Sequence, residues 1–159
     1  MKINRSAIGR AGPGDIPGLA RLLWLDTRHE VPDADAVAEF AIELEEWWRG
    51  KRDSHIAFVA RTEDATAAQE IVGMAWVALL PRIPRPGATN RLAGDIQTVF
   101  VLPEHRSRGI GSALVDAAAQ HATDRGAIRV TVHSGRRAIP VYERIGFASS
   151  RQLLQRPPE

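Results

Sequence analysis

The chain has 159 residues, of which 44% are hydrophobic and 25% charged, with a formal charge of +2; this suits a single soluble domain over residues 1–159 with a substantial core. It contains no cysteine, which excludes a disulfide framework, a cysteine-ligated metal and acyl transfer through an acyl-cysteine. No apolar run reaches spanning length, no signal-peptide core opens the chain, and the 19 arginines are scattered rather than striped with aromatics, so the expectation is a cytoplasmic protein with neither membrane nor nucleic acid as partner.

The first predicted strand covers Ser6 to Arg10 and is closed by the turn Gly12-Pro13-Gly14-Asp15. Asp15 is placed to cap a helix with Pro17 in its first turn and an apolar stripe of Ile16, Leu19, Ala20 and Leu23. Asp33 or Asp35 starts a second helix, with Val37, Phe40, Ala41, Leu44 and Trp48 on one face and Gly50 at its end. Trp47 and Trp48 are adjacent, so both cannot face inward; one is left to cover a substrate or the partner in a homodimer. Two strands follow, His55 to Arg61 and Ile71 to Leu80, joined by a polar connection rich in Ala and Thr. Pro81, Pro84 and Pro86 then impose a loop to about Asn90. Leu92 to Leu102 reads as a long strand and Ile110 to Arg125 as the main helix, with Gly126 as its stop. A strand from Ile128 to His133, a short helix ending at Gly146 and a last strand starting at Phe147 complete the order.

The long strand breaks its own alternation. Val99 and Val101 are apolar while Gln97 and Asp95 are polar, and Ile96, Phe100 and Leu102 hold the other parity. A bulge near Gln97 or Thr98 brings Ile96 onto the face of Val99 and Val101. A fully buried strand without a bulge is the alternative.

Past this strand runs Pro103-Glu104-His105-Arg106-Ser107-Arg108-Gly109-Ile110-Gly111-Ser112, a basic turn with two glycines that enters the Ala-rich helix directly. A helix start leaves its first N–H donors unpaired and its dipole favours negative charge. The combination describes an anion cradle suited to a diphosphate. It is not a Walker A loop, for it lacks the Lys-Ser or Lys-Thr ending. Nor is it a dinucleotide fingerprint, because Leu114 stands where the third glycine belongs. The spacing that fits is arginine-x-x-glycine-x-glycine on Arg106, Gly109 and Gly111. Surface arginines beside a glycine turn remain the simpler reading of the motif alone.

The segment closely resembles the acetyl-CoA-binding motif of the GNAT acyltransferase superfamily. Downstream, Ala138-Ile139-Pro140-Val141-Tyr142-Glu143-Arg144-Ile145-Gly146-Phe147 is similar to that family's late helix, and the two segments stand in the family's order. The resemblance covers about Asp95 to Phe147. It implies an α/β (α+β) fold with a mixed, mostly antiparallel sheet, a splayed central strand pair and helices on both faces. It further implies acetyl-CoA as co-substrate, an amine acceptor and no metal. Arg106, Ser107, Arg108, Gly109, Ile110, Gly111 and Ser112 would cradle the diphosphate, and a valine at position 111 would obstruct it. The backbone of Val99, Phe100 and Val101 would pair with the pantetheine arm as a pseudo-strand, and Ala138 would border the cofactor.

Tyr142, the only tyrosine, falls at the family's tyrosine position. A phenol of pKa near ~10 can donate to a departing thiolate whose parent thiol lies near ~8.5; packing is its other role. Many relatives carry a glutamate base where this chain has Gln97, which cannot accept a proton at neutral pH. Asp95 is the nearest replacement, with His133, His29 and ordered water as alternatives. Gly135 stands where the family often has asparagine, and Ser134 is the neighbour that could compensate. The expected activity is direct acetyl transfer to a primary amine, preferably on a small molecule. A noncatalytic acyl-CoA-binding or sensor domain, and a protein or peptide N-acetyltransferase, are the alternatives.

Overall fold

A computed structural model describes residues 8–62 and 70–158. Five strands, β1 (Ile8–Arg10), β2 (His55–Arg61), β3 (Ile71–Arg82), β4 (Arg91–Val101) and β5 (Ala127–Val132), form one sheet in that order. All neighbours are antiparallel except β4 and β5, which run parallel. Four helices accompany them: α1 (Ile16–Arg28), α2 (Ala34–Arg49), α3 (Ile110–Asp124) and α4 (Ile139–Arg144). Ser6 and Ala7 of the expected first strand, and residues 63–69 of the connection, lie outside the described residues.

The helices cover both faces of the sheet. β3 is central and is buried continuously from Ile71 to Leu79, which explains its unbroken apolar sequence. On one face α3 lies across β3, β4 and β5, with Leu114, Val115, Ala118 and Ala122 buried. Close approach depends on two strand glycines. A Cβ at Gly73 would sit 3.0 Å from Leu114 Cδ1, and one at Gly94 only 2.9 Å from Ala122 Cβ. On the other face Trp48 of α2 meets Trp76 of β3 edge-on, ring centroids 5.0 Å apart. Its indole N–H donates to the His55 carbonyl at 2.7 Å, tying α2 to the start of β2. Trp47 turns outward, beneath the Lys51 ammonium.

Four local expectations are corrected. Asp15 makes no side-chain cap on α1. Its carboxylate instead accepts from Gly12 N at 2.8 Å and from Arg61 Nη2 at 2.7 Å, because a 3₁₀ turn at Pro13–Asp15 already precedes the helix. In α1 the stripe is wider than expected: Leu22 is fully buried beside Leu19 and Ala20, and Leu23 packs partly buried against the same core, since the helix packs on α2 as well as on the sheet. Third, β3 runs through Pro81 to Arg82. Pairing with β2 ends at Ala78, so the missing N–H of Pro81 costs no ladder bond on that side. The intervening loop closes through Arg85-Pro86-Gly87-Ala88, with Gly87 at φ 78, as a proline–glycine turn requires.

The fourth concerns the C-terminal segment: the strand expected from Phe147 does not form. The chain leaves α4 through Gly146 at φ 99. Gly146 N donates to the Glu143 carbonyl and Phe147 N to that of Tyr142, a helix-terminating pattern that spends these donors locally. The Ser150 hydroxyl then captures Gln152 N. β5 therefore pairs with β4 alone among the described residues.

The Gly94–Ala122 contact gives a direct test. Gly94→Ala should lower unfolding free energy by about 1–3 kcal/mol through overpacking. Ala122→Gly should cost about 1 kcal/mol from helix propensity. In urea denaturation the double variant should be more stable than the sum of the two losses predicts, by at least about 1 kcal/mol.

Candidate functional site

The register of β4 creates the opening. Trp76 faces Thr98 and Val77 faces Ile96, so Gln97 is an extra residue in the ladder. The expected bulge is present and brings Ile96, Val99 and Val101 onto one side. Pairing of β4 with β5 stops at Ile96–Val132, and the strands part beyond it. Leu102 N donates to the Val72 carbonyl. Alternation in an antiparallel ladder then turns the N–H and C=O groups of Val99 and Val101 away from β3, toward the gap. Val101 O is met there by Arg106 Nε at 2.9 Å, whose guanidinium also lies over the Phe100 ring at 5.6 Å. Arg106 thus lies back along β4, while Arg108 is exposed.

At the end of β4 the turn adopts left-handed backbone twice, at Ser107 (φ 59) and Gly109 (φ 80). Gly109 is the residue before α3 and makes no side-chain cap. The first intrahelical bond runs from Ala113 N to Gly109 O at 3.0 Å, so the N–H groups of Gly109, Ile110, Gly111 and Ser112 precede the ladder. Among the described residues no backbone bond is donated by any of these four. Ile110 is buried and anchors the helix start in the core. The helix start thus leaves these four N–H groups without a backbone acceptor, as a helix N-terminus does. At Gly111 a Cβ would meet Val101 Cγ2 at an ordinary 3.8 Å, so the fold itself has room for a side chain there. Gly109 is the glycine that the backbone demands.

Asp95 and Tyr142 line a common groove of about 470 Å³ between the β4–β5 pair, α4 and the C-terminal segment. Gln97 Nε2 donates to Asp95 Oδ2 at 3.4 Å and Thr131 Oγ1 approaches Asp95 Oδ1 at 3.5 Å. The residue that cannot be a base thus helps to hold the nearby carboxylate. Tyr142 is half-buried, its ring edge-on to Phe147 with centroids 5.6 Å apart. Burial pushes its phenol above the ordinary 10.0, keeping it protonated at neutral pH.

Other candidates lie elsewhere. His133 and His29 are exposed and absent from this groove, and His29 terminates α1 at φ 56. Asp33 caps α2 by accepting from Ala36 N. The Ser134 hydroxyl donates to the Gly135 carbonyl at 2.8 Å, and Ala138 N donates to the same carbonyl at 3.0 Å. Asp26, on α1, has its carboxyl pushed up by burial, against the opposing pull of His29 and Arg106. Sequence reading did not single out Leu80, Arg82, Arg129 or Thr131, all of which line the groove. The mirrored arginines flanking the proline loop were the available signal.

Residues 16–147 match the model of the acetyltransferase (GNAT) family. The chain belongs to that family. It is 34% identical over 84 residues to glucosamine 6-phosphate N-acetyltransferase of Trypanosoma brucei brucei, covering 52% of this chain and 55% of that protein. It is 32% identical over 83 residues to mycothiol acetyltransferase of Cellulomonas flavigena, covering 50% and 24%. The matches thus span about half or less of the length of these curated relatives. Among solved structures, glucosamine-6-phosphate N-acetyltransferase of Arabidopsis thaliana superposes with TM-score 0.72 at 21% identity, over 96% of this chain and 97% of that one. An acetyltransferase of Clostridium acetobutylicum, crystallised with acetyl-CoA, gives TM-score 0.66 at 19% identity over 94% of each. The fold is that of the family.

The backbone at the cradle separates the two glycines. Gly109→Ala should destabilise by about 1 kcal/mol, the left-handed penalty exceeding the gain from a stiffer unfolded chain. Gly111→Ala should be neutral or stabilising within about 1 kcal/mol. Paired urea titrations check the contrast.

Proposed function

We propose that this chain is an N-acetyltransferase that moves the acetyl group of acetyl-CoA to the primary amine of a small molecule, by direct transfer within a ternary complex. One observation carries the reading. The bulge at Gln97 parts β4 from β5 and leaves the backbone of Val99 and Val101 facing the gap, in line with the unpaired donors at the start of α3. An extended, amide-bearing arm ending in a diphosphate matches both features. The crystal structure with acetyl-CoA in the Clostridium relative is in keeping with that ligand. The relatives named for glucosamine 6-phosphate favour an amino-sugar acceptor. The reading includes a cytoplasmic location.

In the proposed reaction the acceptor nitrogen attacks the thioester carbonyl. The N–C bond forms and the C–S bond breaks. The Val99 N–H polarises the carbonyl oxygen as negative charge develops. The ammonium proton leaves through Asp95, directly or by water, while Tyr142 donates its phenolic proton or a hydrogen bond to the departing sulfur. Desolvation of Tyr142 supports the donor role because it holds the phenol neutral.

Release of free CoA thiol, measured over a panel of amines, tests the reading. Tyr142→Phe keeps the ring and its packing, so the loss should fall on kcat, on the order of 10²-fold, with acetyl-CoA affinity nearly unchanged. The wild-type alkaline limb should lie above the ordinary phenol value of 10.0 and disappear in the variant. Asp95→Asn should likewise lower turnover and spare acetyl-CoA binding. Acetyl-CoA binding without turnover on any amine would instead support a noncatalytic acyl-CoA-binding domain.

A further inference from the structure

At the end of the groove remote from the cradle, the sheet gathers arginines. Arg82 and Arg91 are directly opposite in the β3–β4 register, so their side chains share a face. Like charges so placed repel. Arg129 of β5 joins Arg82 in lining the groove. Loss of hydration, and then the fields of Arg85, Arg82 and Arg129, lower the pKa of Arg91, in keeping with the shared face of Arg82 and Arg91. Among the described residues the ion pairs are Arg21–Glu70 and Arg61–Asp15, and neither involves this cluster. Arg91 Nη1 donates instead to the Ile83 carbonyl at 2.8 Å, which fixes its position across the loop base. Carboxylates line the groove too, as Asp95 and Glu143. The groove thus carries both signs of charge, with Arg82 at the far end.

We propose that Arg82, Arg91 and Arg129 form an anion subsite that receives a phosphate group on the acceptor, so that the substrate class is a phosphorylated primary amine. Guanidinium forks match phosphate oxygens in bidentate geometry. The bound anion supplies the counter-charge that the Arg82–Arg91 juxtaposition lacks. It is not a site for the phosphates of CoA. Arg91 and Val101 are the two ends of β4, roughly 30 Å apart at strand rise, and the cradle lies beyond Val101. Asp95 is four residues from Arg91, roughly 13 Å along the strand, a gap that arginine side chains shorten to the span of a small phosphorylated amine. The inference rests on the acetyl-transfer reading for its amine and on the arginine geometry for its anion.

Two measurements on the full chain separate these supports. The first is thermal unfolding with inorganic phosphate at constant ionic strength. Phosphate should raise the Tm of the wild type and of the control Arg49→Gln, and not that of R82Q/R91Q. Arg129→Gln, a second variant, should weaken the shift. The second is CoA release with glucosamine 6-phosphate against glucosamine. The phosphorylated amine should be preferred at least about tenfold in kcat/KM, and R82Q/R91Q should raise its KM at least about tenfold. Equal phosphate shifts in wild type and R82Q/R91Q, or equal kcat/KM for the two amines, overturn the subsite. An arginine-dependent phosphate shift with no amine acetylated supports the subsite and sinks the acetyl-transfer reading instead.

Discussion

One extra residue in β4 governs the geometry of this protein. Gln97 has no partner on β3, and a strand that absorbs an unpaired residue bends and twists more strongly there. Parallel pairing with β5 ends at that level, at Ile96–Val132. Had β4 continued in register beside β5, the polar backbone of Val99 and Val101 would be spent on sheet bonds. As it is, those groups face an opening whose floor is core. Arg106 meets one of them, the Val101 carbonyl, and links the strand end mechanically to the turn that precedes α3.

The same strand organises both ends of the site. Its C-terminal end delivers the chain into the turn where Ser107 and Gly109 adopt left-handed backbone, and α3 starts with its first donors uncommitted. Its middle presents Asp95, contacted by Gln97 and Thr131. Its N-terminal end holds Arg91 opposite Arg82. α3 can lie close enough to fix this strand because Gly73 and Gly94 carry no side chain beneath Leu114 and Ala122. Packing and site geometry are therefore coupled through two glycines that themselves do no chemistry.

Much of this was legible in the sequence because the relevant signals are local. Broken alternation around Gln97 raised the bulge beside a regular buried strand as its alternative, the glycine-bearing basic turn announced the helix start, and Gly146 announced the end of α4, where it takes φ 99. The last strand was not legible. Phe147 and its successors have strand-compatible residues, but their donors are taken by the turn out of α4 and by Ser150. Pro81 misled for the opposite reason: a proline ends a strand only where its N–H is needed, and β2 has already stopped at that point.

The sequence by itself determined most of the elements, which follow from periodicity and backbone preference within a short window, and it carried the family resemblance that picks out Arg106, Gly109 and Tyr142. Tertiary structure alone decided that Asp95 and Tyr142 share one groove while His29 and His133 stay outside it. It also decided that Gly109 rather than Gly111 is the glycine the turn requires, that Arg82 stands opposite Arg91, and that Arg82 and Arg129 line the same groove. These are relations between residues far apart in the chain. They are set by strand register and by the depth to which α3 settles on the sheet, and no local pattern encodes either quantity.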